Sequence, residues 1–318
     1  MAEKLTDAQL KAKIIANAQS ESKTNNETPN LFPTEIVPLP SKGLVYPLDN
    51  PLSAGQIEIR YMTAKDEDIL TNPNYLKRGI ALDKLYESLV VGNGKGQPVN
   101  LNDMVLGDRS AIMLAARVLG YGSDYEITLE NPDTGEKFQH IVDINLLKPY
   151  EIDESLYNNS REFEFELPVS KKKLVIKLQT AVEQKAIEKA SAAQERAGIP
   201  VKGTTNYLKN LIVSIDGNDD TKFINEFVEN YLLAKDSLML RKFIVDVTPD
   251  YDLSLDVDVP SQNFFKKIQL PIDIQFFWPR LWLQGQSAPT ALLYFRAYAG
   301  IRMVGALYNA DRSSSFLL

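Results

Sequence analysis

The chain contains no cysteine, which excludes disulfides, thiol catalysis and thiolate zinc sites together and fits synthesis in a reducing cytosol. It has one histidine, His140, so no Ser-His-Asp or Cys-His set can be assembled with redundancy, and no histidine-rich metal site exists. Excess positive charge is also lacking: the net charge is −7 and the pI about 5.0, which argues against nucleic acid as a partner, because phosphate binding draws on concentrated lysine and arginine. Met1–Asn30 is polar, with no apolar core and no small-residue cleavage site, so no signal peptide is expected and the chain is expected to mature in a cytoplasm.

What the chain does contain, it contains twice. Tyr125–Ile144 and Tyr251–Ile272 each read as an alternating strand, a polar turn and a second strand bearing Phe138 or Phe265. Each follows an apolar helical run opened by an aspartate: Asp108 before Ala111–Leu119, and Asp236 before Leu238–Val245. Further upstream, Ile57–Leu70 and Leu174–Ile187 each run from a strand into a Thr-led acidic helix. The pattern predicts an α+β fold made of two similar strand-helix-helix-hairpin units, with an N-terminal arm and an aromatic-rich C-terminal extension. The expected division is 1–37 (helix and flexible arm), 38–150 (first unit), 151–279 (second unit) and 280–318 (apolar docking segment).

Along the chain, Leu5, Leu10, Ile14, Ile15 and Ala18 lie on one face of a short helix within Lys4–Gln19, and polar Ser20–Asn30 forms a tether. An arm and an end without a role are both open there. Pro38, Pro40, Pro47 and Pro51 exclude central strand or helix over the lead-in, so Ile57–Tyr61 is expected as the first true strand. The first unit continues through a helix after Thr63, a helix over Ile80–Val90 and a helix from Asp108 that stops at Gly120 or Gly122. Asn131–Gly135 carries turn chemistry. The second unit is expected as strands Glu162–Glu166 and Lys173–Gln179 around a Pro168–Ser170 turn, with helices Val182–Ala197, Lys222–Leu233 and Ser237–Val245.

Phe276–Leu318 differs in kind, holding both tryptophans and only one acidic residue, Asp311. Ala291–Leu307 is apolar nearly all round, but Arg296 and Arg302 lie inside it and the run is shorter than the ~20 residues a span requires, so stable membrane insertion is not expected. Hot spots favour Trp and Tyr beside Arg. The expected interface is therefore Phe276, Phe277, Trp278, Arg280, Trp282, Tyr294, Phe295, Arg296, Tyr298 and Arg302, with closure of this chain's own core as the alternative.

No set of residues converges on chemistry. Gly92–Gly96 with Lys95 superficially suggests a phosphate loop, but Lys95 is followed by Gly96 and Pro98 instead of Ser/Thr and a helix. His140 sits in an alternating strand and reads as structural. Asp246, Asp250, Asp252, Asp256 and Asp258 superficially suggest a cation site, but Asp252, Ser254, Asp256 and Asp258 alternate with apolar residues as the open face of a half-buried strand; Asp216–Asp220 lacks the spacing of a calcium loop, and Glu67/Asp68 lie in an exposed helical turn. No catalytic residue, metal or cofactor is expected. A nucleotide-dependent enzyme remains the alternative, resting on Gly92–Gly96 alone.

Four stretches, in this order, resemble the baseplate hub family of T-even-type contractile-tailed bacteriophages: Leu39–Pro47, Ile59–Leu70, Leu106–Glu126 and Gln269–Pro279. The resemblance implies a non-catalytic structural or assembly protein of a viral tail baseplate. Its partners would be other baseplate or tail-tube proteins, or further copies of itself, and its place the virion, after assembly in the host cytoplasm. An assembly chaperone absent from the mature virion is the alternative. Where some members of the family carry cysteine pairs at such hairpins, Asn131–Gly135 and Val259–Asn263 have none, and the aromatic segment after Pro279 is longer than a minimal member needs.

Overall fold

The computed structural model describes residues 32–130, 135–198, 203–258, 265–270, 272 and 274–277. The chain divides into two compact units, Met1–Pro33 and Thr34–Leu318, and all the elements below belong to the second. The expected helix at Lys4–Gln19, the tether at Ser20–Asn30 and everything after Phe277 lie outside the described residues.

The fold is α+β. The first half opens with β1 (Thr34–Pro38), β2 (Gln56–Arg60), α1 (Ala64–Thr71), α2 (Pro73–Lys77), α3 (Ala81–Leu89) and β3 (Val90–Gly92). It closes with α4 (Leu106–Tyr121) and the hairpin β4 (Asp124–Glu130) and β5 (Lys137–Asp143). The second half has β6 (Glu162–Glu166), β7 (Lys173–Lys177), α5 (Ala181–Arg196), α6 (Gly203–Leu211) and β8 (Ile212–Ile215). After these come α7 (Thr221–Asn230), α8 (Ala234–Val247), the hairpin β9 (Ser254–Asp258) and β10 (Phe265–Gln269), and α9 (Ile274–Phe277).

Both halves hold a small antiparallel sheet, β1-β2-β3 and β6-β7-β8, with the strand that leads into a helix at the centre. The central strands alternate: Ile57 and Ile59 in β2, Leu174 and Ile176 in β7, all turned into the core. Each central strand meets its third partner through a register shift at the same place, between Glu58 and Ile59 and between Val175 and Ile176. Each is followed, three residues past its end, by a threonine, Thr63 or Thr180, which forms a reciprocal capping box with Asp66 or Glu183 three residues on.

α4 is the central helix. Most of its residues from Gly107 to Arg117 are buried, because the second half covers the side that an ordinary surface helix leaves to water. Gly107 shows how close that cover comes: a Cβ there would fall 1.6 Å from the carbonyl oxygen of Pro249. The connection between the halves adds a short ladder, with Tyr150 N–H donating to Asp250 O at 2.8 Å and Asp252 N–H to Lys148 O at 2.8 Å.

Three expectations need correction. A strand, β1, precedes Ile57–Tyr61 and begins at Thr34, inside the segment expected as arm; Pro38 is tolerated because β1 is an edge strand, paired on one side only. Neither Asp108 nor Asp236 opens its helix. The N-caps are Val105 and Leu233, and the aspartates stand three residues after them, in the first turn and buried. Finally, α7 ends at Asn230, short of the expected Leu233.

Candidate functional site

Among the described residues, two of the three fully buried carboxylates, Asp108 and Asp236, hold turns. Asp108, on α4, is fully buried and accepts from Ser41 N at 2.9 Å, Ser41 Oγ at 2.6 Å and the Tyr46 hydroxyl at 2.6 Å. The Tyr46 oxygen in turn accepts from Val105 N–H at 3.0 Å, so one carboxylate ties the β1–β2 connection to the start of α4. Burial pushes the Asp108 carboxyl up to about 6; the three hydrogen bonds oppose that rise and the charge of Asp250 adds to it. Burial, with the charge of Asp108, also raises Tyr46.

Asp236, on α8, holds the β6–β7 connection in the same way, accepting from Val169 N at 2.8 Å and Ser170 N at 3.0 Å. Burial works to raise its pKa, but the donors outweigh it and the carboxyl sits below its ordinary value. Both turns begin with a buried Leu followed by Pro, Leu39-Pro40 and Leu167-Pro168.

A second pair of nodes sits at the strand-to-helix junctions. Asp66 receives Arg60 through both guanidinium nitrogens at 2.8 Å, together with Ser88 Oγ at 2.7 Å and Thr63 N at 2.8 Å. Glu183 receives Arg161 at 2.5 and 3.1 Å and Lys177 at 2.8 Å. Burial opposes ionisation in both, and the donors still bring each carboxyl down to about 2.

The four stretches singled out in the sequence meet in this architecture. Ser41 and Tyr46 reach Asp108; Glu67 accepts from the Tyr121 hydroxyl at 2.8 Å; and Phe276 stands edge-on to Tyr125, centroids 5.2 Å apart. Arg117 closes α4, donating to Gly122 O at 2.5 Å and Asp124 O at 2.8 Å, with its guanidinium over the rings of Tyr121 and Tyr125.

Of the expected interface residues, Phe276 and Phe277 are fully buried in the core of this chain. Trp278, Arg280, Trp282, Tyr294, Phe295, Arg296, Tyr298 and Arg302 lie outside the described residues. The Gly92–Gly96 loop is closed on Asn93, whose Oδ1 accepts from Lys95 N at 2.9 Å and Gln97 N at 3.2 Å. Those amides are taken, and the next helix begins only at Leu106. His140 is half-buried in β5, opposite Ile127. Asp252 accepts from Ser254 N at 2.9 Å and the Tyr150 hydroxyl at 3.2 Å. Asp216 accepts from Lys172 Nζ at 2.7 Å and Lys173 N at 2.9 Å, and Asp220 caps α7. Among the described residues no group of three or more His, Asp or Glu is placed to hold a metal, and no helix is long and apolar enough to cross a membrane.

The seam between the halves carries a groove of about 460 Å³, with apolar lining from Leu76, Ile80, Leu106 and Ala181 and charged lining from Arg78 and Glu188 among others. At its edge Asp83 accepts from Arg109 at 2.5 Å and pairs with Lys185 of α5. The sequence reading missed this seam and the Asp108–Ser41–Tyr46 node. A usable signal for the node was the Leu-Pro pair after the first strand of each half together with an aspartate near the start of each later helix. The chain matches no family model, no curated protein and no solved structure.

Proposed function

We propose that this chain is a structural component of a contractile-tail baseplate, at the hub or the hub–wedge junction, and that it acts by docking to other proteins during tail assembly. The observation that carries the reading is the convergence on α4. The four stretches that resemble the baseplate hub family are distant in sequence, and several of their polar residues are spent on each other: Ser41 and Tyr46 on Asp108, Tyr121 on Glu67. Residues held in this way define a shape and have no free group to offer a substrate.

The chain also reads as a duplication. Supporting it are the matching sheet orders, the register shifts at Glu58/Ile59 and Val175/Ile176, the two capping boxes and the two aspartate-held Leu-Pro turns. A repeated unit suits a protein that presents similar surfaces to its neighbours.

A mass-spectrometric inventory of purified tails tests the function. A structural component is present in fixed stoichiometry with the other tail proteins. Presence during assembly and absence from finished particles would turn the reading into that of an assembly chaperone. Absence from both would remove it.

A further inference from the structure

We infer that copies of this chain join head to tail, the start of α8 in one copy docking on the β2–α1 junction of the next. This rests on the duplication reading and extends it from one chain to several.

The template is the seam already inside the molecule. There the start of the first half's central helix meets the strand-to-helix junction of the second half: Leu106 N–H donates to Gln179 O at 3.2 Å, and Val105 and Thr180 form an antiparallel bridge. Val105 is 2% exposed at this contact, and Leu178, Gln179, Thr180 and Ala181 on the other side are buried as well. Two unlike surfaces are joined, so each has a counterpart in the opposite half that the seam does not use.

Those counterparts are open. At the start of α8, Leu233 stands where Val105 stands on α4, and it is 47% exposed; Leu238 and Met239 are 42% and 36% exposed, and Ala234 and Lys235 are exposed beside them. At the β2–α1 junction, Tyr61, Met62 and Thr63 are half-buried and Ala64 is exposed, where Leu178 to Ala181 are covered. Lys235 is exposed on the one surface and Lys65 and Asp68 on the other, so the pairing rests on the apolar side chains and the seam template. Joining unlike surfaces repeats from copy to copy, closing into a ring or extending as a filament according to the rotation per step.

The chain is free of cysteine, so single cysteines report the geometry directly. Full-length Leu233→Cys and Ala64→Cys are prepared separately, then treated with a short bismaleimide alone and mixed. The expected result is a cross-linked dimer in the mixture only, a ladder of three or more chains from the double variant, and loss of both when Leu238→Glu is added. No product in the mixture at any concentration at which the protein stays soluble overturns the inference. So does a Leu233→Cys homodimer as abundant as the mixed one, because that contact joins like surfaces. An experimental structure of the chain separates the two readings. Halves that superpose without a cross-link sink the head-to-tail contact alone, and halves that do not superpose sink the duplication on which it stands.

Discussion

Lys42 and Lys171 hold the same left-handed backbone, φ 52° and 58°, at the end of the two Leu-Pro turns. Each donates its N–H to the carbonyl of the leading leucine, Lys42 to Leu39 at 2.9 Å and Lys171 to Leu167 at 3.0 Å. The second turn is one residue longer, and its helix-borne aspartate still takes two donors from it. A lysine in the left-handed region costs about 1 kcal/mol relative to glycine, partly offset by glycine's greater freedom in the unfolded chain. Lys42→Gly and Lys171→Gly are each expected to raise the urea midpoint slightly, whereas Lys171→Val lowers it. Equal effects of glycine and valine would contradict the strain.

Asp108→Ala removes the acceptor for three buried donors and is expected to cost about 3 kcal/mol or more in urea unfolding. Asp236→Ala frees two backbone N–H groups in a turn that water can reach, since Val169 is exposed, and should cost about 1–2 kcal/mol. The reverse order would mean that the Ser41–Tyr46–Asp108 node is not the stronger of the two.

The carboxylates make opposite contributions with pH. Asp108, raised from 3.8 to about 6, is protonated more readily folded than unfolded. Its contribution is therefore fully present below pH ~4 and is lost as the pH rises through ~6, a change of about 3 kcal/mol. Glu183, lowered from 4.5 to about 2, contributes above pH ~4.5 and loses that contribution as the pH falls toward 2. The stability difference between wild type and Asp108→Asn should fall between pH 4 and 6.5. That between wild type and Glu183→Gln should grow from pH 2 to 5. Parallel profiles for the two variants would refute the assignment.

Phe276 is buried against Tyr125, so Phe276→Ala should cost about 3–5 kcal/mol and broaden or abolish cooperative melting. Deleting 284–318 leaves Phe276 and Phe277 in place. Under the docking proposal the truncated chain melts cooperatively but fails to join tails. If it unfolds instead, that segment completes this chain's own core and the docking reading is wrong.

Lys95→Ala and His140→Gln should leave both stability and tail assembly unchanged, because neither is asked to hold phosphate or move a proton. Asn93→Ala, by contrast, releases the Lys95 and Gln97 amides and should cost about 1–3 kcal/mol in thermal or urea unfolding. Loss of assembly by a well-folded Lys95→Ala variant would reopen the nucleotide alternative.

Much of this protein was legible in its residues because local periodicity and capping are short-range. The Ile57/Ile59 and Leu174/Ile176 alternations, the Thr-x-x-Asp/Glu boxes and the Gly122 stop each need only a few neighbours, and the elements stand where those patterns put them. The α+β class and three helices of each half came from the same source, whereas the short α2 and α6 were not foreseen.

Residue type and local pattern did not decide the partners. Asp108 looked like a helix opener, since an acidic residue at the start of an apolar run ordinarily caps it. Only the folded chain brings Ser41 and Tyr46 against it, and a donor on another element outcompetes a local cap when both are buried. β1 escaped notice for a related reason: a five-residue strand ending in proline becomes a strand only through pairing with β2. The sequence by itself determined the alternating strands, most of the longer helices and their apolar faces, because those signals are local. Which half covers which helix, burying Val105 and leaving Leu233 open, was decided by tertiary packing, because burial depends on what arrives from elsewhere in the chain.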